Sequence, residues 1–137
     1  MNQTIDEIPT INASHRFEPP HFDAVTKIIA SDTEMFTASK DGNIKYWDIN
    51  EKSEITQKYK VHSGEWCTDM ISYKNLICSV GKDQAIRFWN FRDKETVECV
   101  YEHKDAHKFS INAVASESDY IYTAGNDNDI NIWKCHL

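Results

Sequence analysis

One tryptophan returns at near-constant spacing and governs the whole reading: Trp47, Trp89 and Trp133 stand 42 and 44 residues apart. Self-similarity at such a period marks a repeat architecture, in which each unit buries its apolar surface only by stacking on neighbours. Each Trp closes a matching segment: Asp41-Gly-Asn-Ile-Lys-Tyr-Trp47, Asp83-Gln-Ala-Ile-Arg-Phe-Trp89 and Asp127-Asn-Asp-Ile-Asn-Ile-Trp133. An Asp stands six before the Trp, an Ile three before it and a large apolar residue one before it. The position two before the Trp is polar in all three.

The match extends upstream. Four residues before each Asp is a hydroxyl (Thr37, Ser79, Thr123), and about twenty before it a histidine (His21, His62, His107). Four after each histidine, an apolar residue opens a strand-like run: Val25, Trp66 and Ile111. The runs predict strands at 25–30, 35–39, 44–48 and 55–59 in the first unit. The second unit gives 66–71, 76–80, 85–90 and 97–101, and the third 111–116, 121–124 and 130–134. Asp41-Gly42 is a tight-hairpin signal, since Gly accepts the positive φ such turns need. Apolar residues on both faces of most strands suit sheets sandwiched between neighbours.

These residues resemble the WD40-repeat family over about residues 11–137. The Trp-Asp pair survives as Trp47-Asp48 and becomes Trp89-Asn90 and Trp133-Lys134, while the histidine of the family's Gly-His pair is kept without its glycine. The resemblance implies an all-β fold, a partial or half β-propeller of three four-stranded antiparallel blades. Residues 1–20 form an N-terminal segment, 21–60 the first repeat, 61–102 the second, and 103–137 a third that lacks its own fourth strand. It further implies a hydrogen-bonded set in each blade: His21/Thr37/Asp41/Trp47, His62/Ser79/Asp83/Trp89 and His107/Thr123/Asp127/Trp133. The residue types fit, because a buried indole N–H and a buried Asp each need a partner and an imidazole can serve both. A His, an Asp and a hydroxyl also make a hydrolase triad. Three copies at the same place in each repeat, beside an aromatic, point to architecture.

For a partner-binding rim, the resemblance points to the residue before each turn Asp and to the third and fifth after each His. These are Lys40, Ala24 and Thr26; Lys82, Glu65 and Cys67; Asn126, Ser110 and Asn112. No aromatic falls at these nine positions. Two lysines in a chain of net charge −7, with 22 acidic and 15 basic residues, suggest an acidic or phosphorylated peptide; the alternative is ordinary solvated turn residues. The acidic balance argues against a general affinity for nucleic acid or anionic membrane. The apolar runs are far shorter than a membrane span.

Chemistry beyond binding has little to stand on. The four glycines are too scattered for a phosphate-cradling loop, and no G-x-S-x-G or H-E-x-x-H occurs. Cys67, Cys78, Cys99 and Cys135 lack zinc-site spacing, and Cys135-His136 would point to opposite faces of a strand. The expectation is a non-enzyme with no cofactor and no metal, working in the cytoplasm with the nucleus left open.

Propellers close with four to eight blades, so three repeats raise the question of completion. Such rings usually borrow the outer strand of the last blade from the N-terminal segment, and residues 12–17 fit either the outer strand of a preceding unit or a polar tail. The chain is then the C-terminal part of a longer propeller, or half of a twofold homodimer ring, or is completed by another WD-repeat segment. The short loops Ala30–Glu34 and Ser116–Asp119 look like those of propellers on myosin-heavy-chain-type kinases and RING or F-box ubiquitin ligases, where the propeller recruits substrates. The expected function is a protein-interaction scaffold presenting its rim, with a purely structural subunit of an assembly as the alternative.

Overall fold

The computed structural model describes residues 7–51, 53–54, 59–60, 62, 64–91 and 97–136. These residues form β1 (Val25–Ala30), β2 (Glu34–Ser39), β3 (Asn43–Asp48), β4 (Ser53–Glu54), β5 (Tyr59–Lys60), β6 (Cys67–Tyr73), β7 (Leu76–Gly81), β8 (Ile86–Asn90), β9 (Glu98–His103), β10 (Ile111–Glu117), β11 (Tyr120–Gly125) and β12 (Ile130–Lys134). Three separate antiparallel sheets result. The first runs β1-β2-β3-β4 with β5 also on β3, the second β6-β7-β8-β9, and the third β10-β11-β12. Each expected repeat has become one sheet, and the three stack as consecutive blades of an unclosed propeller.

The turn between second and third strands is the same device three times. Gly42, Gln84 and Asn128 follow the turn Asp in each blade, and all have positive φ, at 85, 71 and 67°. Only the first is a glycine, and the reason lies between blades. A Cβ on Gly42 would come 2.8 Å from the Glu65 carbonyl of the next unit.

Each first strand carries a bulge that sets one residue outside the ladder: Thr26, Thr68 and Asn112. A bulge re-aims its side chain, and here two of the three reach the neighbouring blade. The Thr26 hydroxyl donates to the Cys67 carbonyl at 2.6 Å, and that of Thr68 donates to Ile111. Asp69 adds a second stitch, bonded to Lys27 at 3.1 Å on one side and accepting from the Val114 N–H at 3.0 Å on the other. The first strands β1, β6 and β10 therefore line up side by side along the inner edge.

Apolar burial lies between the blades. Ile44 and Tyr46 of the first pack with Met70, Ile77, Trp89, Phe91 and Val97 of the second. Val80, Ile86 and Phe88 on the other side of the second pack with Ile111, Val114, Ile121 and Trp133 of the third. Phe36 stacks on Tyr46 at 4.5 Å with Phe91 set edge-on, as aromatic quadrupoles favour.

Three expectations need correcting or bounding. The first strand of the second blade opens at Cys67, one residue later than expected. Of the fourth strand expected at 55–59, positions 55–58 lie outside the described residues; β4 and β5 flank them on the outer edge of β3. Residues 12–17 are not a strand. Phe17 instead sets its ring against Trp47 of the first blade at 5.5 Å.

Candidate functional site

Every blade assembles its four-residue set. In the first, the Trp47 indole N–H donates to Thr37 Oγ1 at 2.9 Å; Thr37 lies 2.7 Å from His21 Nε2, and His21 Nδ1 lies 2.9 Å from Asp41. The third repeats this with 2.9, 2.7 and 2.9 Å through Trp133, Thr123, His107 and Asp127. An indole can only donate and a carboxylate only accept. With a neutral imidazole the bonds therefore run one way: Trp to hydroxyl, hydroxyl to Nε2, Nδ1–H to Asp. The Asp also closes the turn beneath it, Asp41 accepting from the N–H groups of Asn43 and Phe22 and Asp127 from those of Asp129 and Lys108.

These contacts govern ionisation. Burial pushes the Asp41 carboxyl up, but the Asn43 N–H, the His21 ring and the Phe22 N–H outweigh it and hold it below the ordinary carboxylate value. Burial acts likewise on Asp127, where His107 and the Asp129 and Lys108 N–H groups bring it down to about 2.

The middle blade uses the same set with an added cation. His62 Nδ1 is 2.8 Å from Asp83, His62 Nε2 2.9 Å from Ser79, and Trp89 donates to Ser79 at 2.9 Å. Arg87 Nη1 sits 2.7 Å from the second Asp83 oxygen and 2.8 Å from the same imidazole nitrogen. Burial tends to raise the Asp83 carboxyl, and His62 and Arg87 together overcome it, to about 2. His62 is fully buried, and desolvation drives its pKa down. The guanidinium supplies the positive charge that the carboxylate needs, so the imidazole stays neutral.

Arg87 occupies the polar position two before the Trp, whose role the sequence did not disclose. Its counterparts do related work. Lys45, fully buried, donates to the Pro19 carbonyl at 2.8 Å, and the Asn131 amide donates to the Ala106 carbonyl at 3.0 Å. Pro19 and Ala106 lie in the loops that deliver His21 and His107. The third strand thus fastens the loop that brings in its own histidine.

The rim is where the structure departs from the sequence reading. The N–H after each second strand marks equivalent positions by its acceptor: Lys40 donates to Ala24 at 2.9 Å, Lys82 to Trp66 at 2.8 Å, and Asn126 to Ser110 at 2.9 Å. With the bulge residues, the rim sets are Lys40/Ala24/Thr26, Lys82/Trp66/Thr68 and Asn126/Ser110/Asn112. The loop between His62 and β6 is one residue longer than its counterparts, so counting from the histidine misplaces the second blade. Cys67 is fully buried and cannot present itself to a partner. Glu65 is exposed beside Lys82, at 4.0 Å. The repeated apolar-Thr pair, Val25-Thr26 and Cys67-Thr68, carried the correct register.

The corrected register puts an aromatic on the rim. Trp66 is 40% exposed, and both lysines lie over its ring, Lys40 Nζ at 4.1 Å and Lys82 Nζ at 5.0 Å from the centroid. Beside this cluster is a recess of about 350 Å³, lined by Thr26, Lys40, Trp66, Thr68, Lys82, Ser110, Asn112 and Asn126. Six of these were expected rim residues. The recess contains no carboxylate, although acids outnumber bases in the chain. Among the described residues, no cluster of three or more His, Cys, Asp or Glu is placed to hold a metal, and no helix is long and apolar enough to cross a membrane.

Comparison with known proteins agrees with the repeated blade. The family described as WD domain, G-beta repeat, matches residues 14–48 and 97–134, a little over half of the chain. The chain belongs to the WD40-repeat family. The repeat with the longer histidine loop is the one outside the matched residues. The WD40 repeats of RRP9 superpose with a TM-score of 0.73 at 17% identity, covering 87% of this chain and 38% of that one. The computationally designed Ika4 protein superposes with a TM-score of 0.70 at 20% identity, covering 85% and 69%. Among curated proteins, the kinesin-like protein klp-12 of Caenorhabditis elegans is 29% identical across 90% of this chain and 8% of its own length. The human kinesin-like protein KIF21A is 30% identical across 91% and 7%. The chain thus spans under a tenth of these relatives. The likeness to kinases and ubiquitin ligases drawn from the loops gains no support from them. WD40 repeats imply a protein-interaction role, and the fold is in general a non-catalytic scaffold.

Proposed function

We propose that this WD40 chain is a non-catalytic scaffold that presents the rim around Trp66 to a peptide or protein partner, with the lysines selecting acidic sequences. The observation that carries the reading is the Lys40–Trp66–Lys82 cluster. An exposed indole with two ammoniums over its ring joins a hot-spot aromatic to positive charge at the point where two blades meet. The His/Asp/hydroxyl sets support a structural role rather than catalysis. In each the hydroxyl is buried and its oxygen accepts the indole N–H of the Trp, which closes it to a substrate.

A second proposal concerns completion. Ile130 and Ile132 at one end of the arc, and Val25 and Ile28 at the other, are at least half exposed. In the working molecule we expect further WD-repeat blades to cover these faces, supplied by a longer chain, a second copy or another subunit. We place the molecule in the cytoplasm, where the buried free thiols Cys67 and Cys78 stay reduced; secretion of a tagged copy would overturn that placement.

The test is selection of peptides from a random display library on the intact protein, followed by rebinding to Trp66→Ala and to Lys40→Glu/Lys82→Glu. Acidic peptides that lose at least tenfold in affinity on both variants support the rim. Peptides that bind both variants unchanged, while substitutions at Ile130 or Ile28 abolish binding, would turn the reading to the structural-subunit alternative.

A further inference from the structure

We infer that the recess beside Trp66 is a receptor for a phosphorylated serine or threonine side chain, which rests on the rim reading above and sharpens its ligand. The argument begins with the two ammoniums. Lys40 Nζ and Lys82 Nζ lie over one indole ring, at 4.1 and 5.0 Å from its centroid. The ring quadrupole draws each cation onto it. Both lysines line the recess, where their like charges repel one another, and a single ligand group that touches both removes that repulsion. A carboxylate carries one negative charge, whereas a phosphomonoester carries close to two at neutral pH together with three acceptor oxygens. The cluster has two positive charges to satisfy and one place from which to reach both.

The remaining lining fits acceptor oxygens as well. Ser110 and the amides of Asn112 and Asn126 face the recess from the third blade, and Thr26 and Thr68 from the first two. The Thr26 and Thr68 hydroxyl protons are committed to the Cys67 and Ile111 carbonyls, and the Asn112 amide donates to Asn126 Oδ1 at 2.5 Å. The Ser110 hydroxyl donates to Asn112 Oδ1 at 3.4 Å, so the Asn126 amide stands as the neutral donor for a phosphoryl oxygen or the ligand backbone. Glu65 is the acid at the edge, 4.0 Å from Lys82 and half exposed, and such an exposed pair is too weak to compete with a dianion. Charge-assisted bonds to phosphate are correspondingly strong. A nucleic-acid backbone offers the same atoms with one charge per phosphate and meets a chain of net charge −7, so a phosphopeptide is favoured.

The experiment uses the intact protein and three degenerate peptide libraries with a fixed central phosphothreonine, threonine or glutamate, plus a single-stranded oligonucleotide. The phosphothreonine library is expected to bind at least tenfold better than either other library and than the oligonucleotide. Lys40→Gln/Lys82→Gln should abolish that preference without changing the melting temperature. A pH profile gives an independent readout. The second phosphate proton titrates near pH 6, so affinity should fall several-fold between pH 7 and 5.5. Lys40, Lys82 and Glu65 at the recess, and the His21/Asp41 and His62/Asp83 pairs beneath the turns, are common to every ligand. The glutamate library therefore controls for their titration. Equal binding of the phosphothreonine and glutamate libraries, with superimposed pH profiles, would overturn the phosphoryl assignment while leaving an acidic-peptide rim. Preference for the oligonucleotide would overturn it in favour of a polyanion surface. Binding of every library unaffected by the lysine double variant would overturn the rim reading itself.

Discussion

The second and third blades carry the same motif and keep it by different means. Both assemble a complete His/hydroxyl/Asp/Trp set with bonds of 2.7–3.0 Å. Yet the Ile three before the Trp is 3% exposed in the second blade and 75% in the third. The residue one before the Trp goes the same way, Phe88 being buried and Ile132 mostly exposed. Beside Trp133 there remains an apolar cavity of about 460 Å³ walled by Phe88, Tyr101, Ile121 and Trp133. At the matching place in the second blade, Val97 at the head of the outer strand is packed with Trp89 and Phe91. The polar set is thus a property of three strands of one sheet, and apolar burial is a property of having a neighbour on each side.

The tryptophans should break this comparison most sharply. Trp89→Ala should cost about 3–5 kcal/mol, the range for deleting a buried large aromatic, and Trp133→Ala, with one side of the indole less covered, distinctly less. Urea unfolding of the two variants measures this; equal losses would mean that the indole hydrogen bond, and not neighbour packing, sets the cost. Next come the isoleucines. Ile86→Ala should cost about 2–5 kcal/mol, while Ile130→Ala should fall within about 0.5 kcal/mol of the parent. The exposed face should also drive self-association, so Ile130→Glu/Ile132→Glu should shift the 137-residue chain toward smaller species in size exclusion with light scattering. An unchanged distribution would show that another surface is responsible.

Acid should act on the second blade in two stages. His62 is held neutral with its folded pKa lowered, so its contribution is present above the ordinary histidine value near 6.5 and is lost as pH falls below it. Asp83 is held down at about 2 against an ordinary 3.8, so its contribution is present above 3.8 and is lost as pH falls toward 2. Denaturation midpoints between pH 8 and 2 should therefore show two descending limbs, and His62→Asn should remove the upper one while shortening the lower, because His62 shares with Arg87 the work of holding Asp83 down. Persistence of the upper limb in the variant would assign it elsewhere. The smallest effect is expected at the rim. Lys40→Gln/Lys82→Gln should leave the melting temperature within about a degree, because exposed turn charges contribute little to stability.

The strands and polar sets were legible because they depend on spacing. A period-two run with a turn Asp, a hydroxyl and a histidine at fixed offsets needs only its own sheet, and eleven of the twelve set residues are buried or have side chains under 15% exposed, with Trp133 less covered. The roles of Lys45, Arg87 and Asn131 were visible only as a position that is polar in all three repeats. Two of their partners, Pro19 and Ala106, lie in loops that no periodicity describes. Counting from the histidine lands on structurally equivalent positions in the first and third blades and falls one residue short in the second. One additional residue after His62 shifts every count made from that histidine, and so Cys67 was offered to a partner while Trp66 was passed over.

The sequence by itself determined the repeat, the sheet order within each blade and the four polar residues that lock its strands, because these interactions close within about forty residues along the chain. Only the tertiary structure decided which of those repeated positions are covered and which residues meet at the rim. Coverage depends on the face of the next blade, which turns Ile86 into core and leaves Ile130 exposed although both hold the same place in the motif. The meeting of Lys40 with Trp66 and Lys82 depends on how two blades abut, a geometry fixed by the Thr26–Cys67 and Lys27–Asp69 contacts between first strands.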